Sequence, residues 1–172
     1  VASVYHLSFD FNVSPMTCLV AEVQKNKNLK IIKEFRDINS NTHKLCEIIK
    51  NWLPFGAILR VTGDATGNNK SSYTSGNVGQ YDTISRILKV PIIRIDTPSI
   101  NIGHVNSRDQ LNMMFHRDMI EIHESCTYLI EDIEYLECLP DGKIDKKKDE
   151  NIGHLMDCLR YLASTYFELF KK

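Results

Sequence analysis

Four residues have the types and positions that metal-assisted chemistry requires. Asp10 ends an alternating apolar and polar segment, and Asp64 ends a short apolar segment that runs into a polar loop. His154 and Asp157 lie three residues apart in the last apolar-periodic segment, so a helix places both on one side. A charge at the end of a strand is costly to dehydrate, so it needs hydrogen-bond donors, a cation or water.

Three carboxylates brought together repel one another, and divalent cations with oxygen ligands are the usual solution. Two such ions, about 3.5–4 Å apart, bind a scissile phosphate, activate a water and stabilise the leaving oxygen. If Asp10, Asp64 and Asp157 converge, the sequence predicts magnesium-dependent phosphoryl transfer. Each acid alone has a simpler explanation: a strand-end or Asx turn for the first two, and a solvated helix face for the third. His154 could equally cap its helix.

The order of elements favours convergence over these separate explanations. Residues 5–12 alternate as a strand, with Tyr5, Leu7, Phe9 and Phe11 on one face. Strands over 16–23 and 29–35 give three consecutive antiparallel strands, and a helix over 42–53 leads to a strand over 57–64. The remaining predicted elements are helices over 81–88, 105–116, 126–135 and about 152–170, a strand over 90–95, and a brief strand or turn over 120–123.

A right-handed crossover through the first helix makes the strand over 57–64 parallel to an earlier strand. Asp10 and Asp64 then lie at one sheet edge, where open α/β sheets place their sites. The predicted class is therefore α/β, with three antiparallel strands followed by parallel strands in a mixed sheet flanked by helices.

Basic residues near these acids are candidates for phosphate contacts. The segment from Gly63 to Ser71 resembles a phosphate-binding P-loop, but two asparagines separate Gly67 from Lys70, where that motif needs a contiguous Gly-Lys-Ser/Thr. The charged connector over 143–150 is most simply a solvated loop. Candidate DNA phosphate contacts are Lys70, Arg108, Lys146 and Lys147.

Composition places the chain among globular proteins. Its 172 residues are 42% hydrophobic and 25% charged, which suits a single domain, and the net charge of −1 gives no general attraction for nucleic acid. The five cysteines are widely spaced, so we expect reduced thiols. Without a membrane segment or secretion signal we expect a cytoplasmic protein, and the initial Val suggests a processed chain or a fragment.

The motifs, taken together and in order, resemble the C-terminal nuclease domain of the large terminase subunit of tailed bacteriophages. The resemblance covers essentially the whole chain. Its segments are Phe9-Asp10-Phe11-Asn12 with Pro15-Met16, Gly63-Asp64-Ala65-Thr66-Gly67, Asn106-Ser107-Arg108 with Asn112, Asp141-Gly142-Lys143-Ile144-Asp145-Lys146, and Gly153-His154-Leu155-Met156-Asp157-Cys158-Leu159-Arg160-Tyr161.

This resemblance implies a ribonuclease H-like fold and a metal-dependent endonuclease that cuts concatemeric viral double-stranded DNA during genome packaging. It implies that Asp10, Asp64 and Asp157 are catalytic and bind Mg²⁺ or Mn²⁺, with two ions once DNA is bound. Additional ligands or supporting groups would be His154, Asp145 and Asn12. In the family the partners are an ATPase motor domain, the portal and the small terminase subunit, with no membrane, in the cytoplasm of the infected cell.

The sequence contains no Walker motif, so we expect residues 1–172 to form a single nuclease domain from a longer chain with an N-terminal ATPase. Two alternatives stay open. One is a junction-resolving or transposase-like nuclease of the same fold. The other is a non-catalytic module that docks DNA or the portal.

Overall fold

A five-stranded mixed sheet forms the centre of the computed structural model, which describes residues 4–12, 14–24, 28–68, 79–137, 139–141 and 152–170, with side chains of the last helix as far as residue 166. The spatial strand order is β4-β1-β2-β3-β5. The strands are β1 (Val4–Asp10), β2 (Met16–Val23), β3 (Leu29–Asp37), β4 (Ile58–Gly63) and β5 (Ile120–Ile122).

The first three strands are consecutive and antiparallel, as predicted. The strand β4 is parallel to β1 and forms one edge of the sheet, while β5 is parallel to β3 and forms the other. Because β1 and β4 are parallel, their carboxyl ends lie at the same end of the sheet. The crossover through the helix between them brings the chain back to the end of the sheet where β1 begins.

Helices cover both faces of the sheet, and the architecture is the mixed, helix-flanked sheet of the ribonuclease H-like fold. They are α1 (Thr42–Trp52), α2 (Gln80–Leu88), α3 (His104–His116), α4 (Thr127–Tyr135) and α5 (His154–Phe170). The helices α1 and α2 pack on one face through Leu45, Ile49 and Ile84. On the other face α3, α4 and α5 pack through a second cluster that includes Met114 and Leu159.

Side chains alternate along β1, so successive residues face the helices on opposite sides of the sheet. Leu7 and Phe9 are fully buried in the cluster under α1 and α2. Ser8 lies on the opposite face, where its hydroxyl donates to the Cys158 carbonyl of α5 at 2.7 Å. Asp10 shares that face because successive side chains of a strand point to opposite sides. The sheet therefore presents Asp10 to α5.

Local signals explain where α1 begins and what it buries. The Asn41 side chain accepts a hydrogen bond from the Lys44 amide at 2.9 Å, which satisfies one of the free N–H groups of the first turn. Leu45 and Ile49 recur at helical spacing and are fully buried. Burying each contributes about 1.5–3 kcal/mol.

The predicted strand over 90–95 is wrong. The segment Ile92–Arg94 forms a 3-10 helix, and only Ile95 bridges to Val61 of β4. Pro91 has no amide to donate, and Ile92 and Ile93 are 77% and 85% exposed, so this segment has neither the hydrogen bonds nor the burial that extend a strand.

Four of the cysteines fall within the described residues, and all four are buried free thiols: Cys18, Cys46, Cys126 and Cys158. This agrees with the predicted reduced state. Burial raises the pKa of the Cys126 thiol to about 11, which keeps it protonated near neutral pH. Over the described part of the chain, no helix has both the length and the apolar character needed to cross a membrane.

Candidate metal centre

The ends of β1 and β4 bring Asp10 and Asp64 to the same edge of the sheet. Phe9 lies opposite Gly63 in the parallel register, and the Asp64 amide donates to the Phe9 carbonyl at 2.9 Å. A Cβ atom at Gly63 would collide with the backbone of Phe9, so glycine is what allows this close approach. The two aspartates follow directly after this contact.

The helix α5 supplies His154 and Asp157 from its first turns, and Asp132 of α4 holds the start of that helix. The Asp132 carboxylate accepts from the Gly153 amide at 2.8 Å and from the Met156 amide at 3.1 Å. These amides belong to the helix start, where N–H groups lack partners within the helix and favour a negative charge. Burial raises the pKa of Asp132, whereas the amide donors oppose that rise.

Asp10, His154 and Asp157 meet in one buried cluster. Each offers a ligand atom, and these atoms all lie within 4.8 Å of one another. The three residues are 7%, 7% and 4% exposed, respectively. The predicted convergence of the helix acid with the first strand acid is therefore present, and the simpler picture of a solvated helix face does not describe Asp157.

His154 is held at both ring nitrogens. Its Nδ1 lies 2.8 Å from the Asp10 carboxylate, and its Nε2 lies 3.1 Å from the Asn12 amide nitrogen. A carboxylate only accepts and an amide nitrogen only donates, so the neutral ring carries its proton on Nδ1 and accepts at Nε2. Asp10 and Asn12 thus orient the imidazole, and Asn12 lies where the sequence predicted an additional ligand or supporting group.

Arg160 adds a buried cation that the sequence reasoning missed. Its guanidinium pairs with Asp157, donates from Nε to the Ser107 hydroxyl at 2.7 Å, and donates to the Ile102 carbonyl at 3.3 Å. Arg160 is 4% exposed. The spacing of His154, Asp157 and Arg160 at every third residue was the available signal, because it places all three on one side of the helix.

Asp64 lies at the sheet edge but outside the tight cluster of three. Its Oδ1 accepts from the Thr66 amide at 2.8 Å and from the Asn101 side chain at 2.7 Å. The Asn101 side-chain oxygen in turn accepts from the Ala65 amide at 2.8 Å. The Asx turn considered for Asp64 is thus present, and Asn101 anchors the carboxylate from the loop before α3.

Two buried tyrosines are influenced by the negative charge of the acids, Tyr161 by all three and Tyr81 by Asp64 and Asp10. Burial raises the pKa of Tyr161, and the charges of Asp157, Asp64 and Asp10 raise it further. Burial also raises the pKa of Tyr81, with Asp64 as the next cause, and its hydroxyl donates to the Asp64 carbonyl at 2.9 Å. Both hydroxyls therefore stay protonated, and Asp64 shares an electrostatic environment with the cluster.

The residues present fit a divalent cation. Carboxylate oxygens and an imidazole are ligands of Mg²⁺, Mn²⁺ and related ions. Among the described residues, Arg160 forms an ion pair with Asp157. Carboxylates brought close together repel one another, and a divalent cation with oxygen ligands relieves that repulsion.

The other predicted contacts are not members of this cluster, or they fall outside the described residues. Arg108 is on α3 and pairs with its neighbour Asp109 at 3.0 Å, and its phosphate contact stays a prediction. The remaining predicted residues fall outside the described part of the chain and stay predictions: Lys70, Asp145, Lys146 and Lys147.

Known proteins match this chain in structure but not in sequence. No family model matches it, and no curated protein does so. The nuclease domain of the P22 large terminase superposes with a TM-score of 0.64 at 11% identity, covering 99% of this chain and 81% of that domain. The nuclease domain of the large terminase of bacteriophage SPP1, with bound Mn, gives 0.57 at 18% identity, covering 95% and 86%.

A large terminase from a thermophilic bacteriophage superposes with a TM-score of 0.67 at 12% identity over 95% of this chain. The match spans 40% of that longer protein. At these identities the likeness concerns the backbone. The chain has the fold of the nuclease domains of large terminase subunits.

Proposed function

We propose that this chain is a metal-dependent DNA endonuclease that cuts concatemeric viral double-stranded DNA during genome packaging. The observation that carries the proposal is the buried cluster of Asp10, His154 and Asp157, whose ligand atoms lie within 4.8 Å of one another at the edge of this particular fold. We also propose that residues 1–172 form the nuclease domain of a longer chain with an ATPase, because the match to the thermophilic phage terminase covers only part of that protein.

Asp10 and Asp157 would hold the cation, either Mg²⁺ or Mn²⁺, with Asp64 and His154 as further ligands. A bound divalent cation would supply Lewis-acid polarisation of the phosphate and charge neutralisation. With DNA present we propose two ions, because substrate phosphates complete sites of this kind.

The chain's own residues prepare the site. Asp10 and Asn12 fix the ring of His154 by contacting one ring nitrogen each. Arg160 orients the Asp157 carboxylate, and Asn101 orients that of Asp64. Side chains held in this way lose little freedom when substrate binds.

Cleavage assays with matched variants test the proposal. Supercoiled plasmid is incubated with the purified chain in Mn²⁺, Mg²⁺ or EDTA. We expect wild-type cleavage in metal only, and a loss in Asp10→Asn and Asp157→Asn greater than the roughly 10–100-fold that outer-shell changes cause. Asp118→Asn is the control, because Asp118 is an exposed aspartate with φ of 52°, a conformation that asparagine tolerates.

Full activity in Asp10→Asn would contradict the assigned role. A four-way junction cut in preference to linear duplex would favour a resolvase instead. Binding of DNA without cutting, unchanged by chelator or added metal, would favour the docking module.

A further inference from the structure

A cavity of about 220 Å³ opens beside the cluster, on the β2 and β3 side of Asp10 and therefore away from Asp64. His154 belongs both to the cluster and to the cavity wall. The lining residues are Thr17, Arg36, Tyr128, Glu131, Asp132, Ile152, His154 and Leu155. The volume is below the about 300–1,000 Å³ of sites for drug-sized ligands, so it suits a small part of a polymer.

The register of the sheet places Arg36 in line with Asp10. Asp10 is paired with Thr17, and Thr17 is paired with Arg36, so the three residues form a row across β1, β2 and β3. Paired residues project to the same face of a sheet, here the face covered by α4 and α5. Strands are about 4.8 Å apart, which puts the backbone of Arg36 about 10 Å from that of Asp10.

Arg36 is half-buried, and an aromatic ring holds its guanidinium. The guanidinium carbon lies 4.9 Å from the centroid of the Tyr128 ring, a cation–π arrangement. Within the described part of the chain, Arg36 forms no ion pair with a carboxylate. A preorganised guanidinium next to a phosphate-cutting site is suited to planar recognition of phosphate.

The nearby acids are engaged elsewhere or exposed. Glu34 lies on the same face as Arg36 and accepts from the Tyr128 and Leu129 amides at 3.0 and 2.8 Å. Asp132 is bound to the amides at the start of α5. Glu131 is exposed on the cavity wall. Arg36 therefore keeps its donors available towards the cavity.

We propose that Arg36, held by Tyr128, binds a phosphate of the DNA strand next to the bond that is cut. This inference rests on the proposed nuclease function and adds a substrate contact to it. The cavity lies between α4 and the start of α5, and Thr17 lies between Arg36 and Asp10 in the sheet. A phosphate contact of this kind positions the strand without reading its sequence.

Binding measurements isolate this contact from cleavage. Fluorescence anisotropy of a labelled linear duplex is recorded in EDTA over a range of salt concentrations. We expect Arg36→Gln to weaken binding about tenfold and to reduce the salt slope by about 0.9, the value for one lost phosphate contact. Arg86→Gln is the control, because Arg86 is exposed on α2, on the other face of the sheet.

Separate variants test the contribution of the Tyr128 ring to DNA binding. Tyr128→Leu should weaken binding by less than Arg36→Gln, and Tyr135→Leu, at an exposed tyrosine on the same helix, should bind as wild type does. Arg36→Lys keeps the charge but not the planar fork, so we expect part of the affinity to return. Thermal melts confirm that each variant is folded.

Two further outcomes separate this inference from the proposed function. If Arg36→Gln binds with the affinity and salt slope of Arg86→Gln, or if the wild type binds no duplex at any salt concentration, the Arg36 contact is overturned. In metal, the KM for duplex should rise in Arg36→Gln while kcat changes little. A wild type that binds DNA through Arg36 but never cuts it would defeat the nuclease proposal alone.

Discussion

Arg160 and Asp157 form an ion pair within the first turns of α5, and each residue is only 4% exposed. Burying two charges is costly, and the cost is offset only when their remaining hydrogen-bonding groups find partners. Arg160 meets this condition through the Ser107 hydroxyl and the Ile102 carbonyl. The pair therefore holds one carboxylate of the proposed metal centre in place before any cation binds.

Removing Arg160 should leave Asp157 as a buried charge without its partner. In EDTA we expect Arg160→Met to lower the free energy of unfolding by about 3–5 kcal/mol. The double variant with Asp157→Asn should recover part of that loss, because no unpaired charge remains. Urea unfolding measures both, with Lys44→Met as the control: its pair with Asp37 is on the surface, and such pairs contribute about 0–1 kcal/mol.

Metal should partly replace the missing guanidinium. Millimolar Mn²⁺ is expected to raise the melting temperature of Arg160→Met by more than that of the wild type, since binding to the folded state stabilises it. An equal rise in melting temperature in both proteins would show that the cation does not compensate for the lost charge of Arg160.

Asn101 should matter for activity more than for stability. Asn101→Ala removes the amide that donates to Asp64 at 2.7 Å, so the carboxylate loses its anchor. We expect cleavage to fall about 10–100-fold, as for other supporting groups of metal ligands, and the free energy of unfolding by about 0.5–1.5 kcal/mol.

The control is Asn51→Ala, at an exposed position on α1. If Asn101→Ala cleaves plasmid at the wild-type rate while Asp64→Asn is inactive, the positioning role of Asn101 is wrong.

His6 should make the fold sensitive to mild acid. Burial and the neighbouring charge of Arg60 lower the pKa of His6 from 6.5 to about 4, against an opposing effect of Asp96. Between these values the unfolded chain binds a proton that the folded chain does not, so stability falls as the pH drops from 6.5 towards 4. The loss amounts to at most about 3 kcal/mol.

Urea unfolding at several pH values checks this, because His6→Gln should reduce the acid sensitivity over that interval. Identical pH profiles for the variant and the wild type would show that His6 is not the group responsible.

Much of the fold followed from local pattern. Strict alternation in β1 placed Asp10 opposite Phe9, and a crossover helix made β4 parallel, so the common edge of Asp10 and Asp64 was predictable. Helical spacing put His154 and Asp157 on one side. The failure at residues 90–95 shows the limit: Ile92 and Ile93 are exposed at the sheet margin, and Pro91 interrupts the hydrogen bonding.

The missing parts of the site depend on contacts between distant segments. Residue spacing places Arg160 on the same side of α5 as Asp157. The contacts of Arg160 with Ser107 and Ile102, and that of Asp132 with the amide of Gly153, do not follow from spacing. Such partners become visible only once α3, α4 and α5 are packed together. The assignment of Asp64 as a ligand stays a prediction, because its carboxylate lies outside the cluster of three.

The most direct test of the metal centre is the anomalous difference density of a crystal soaked in millimolar Mn²⁺. We predict a peak in contact with carboxylate oxygens of both Asp10 and Asp157, and no such peak in a crystal of Asp157→Asn. A wild-type map with both carboxylates in place and no peak between them would contradict the account.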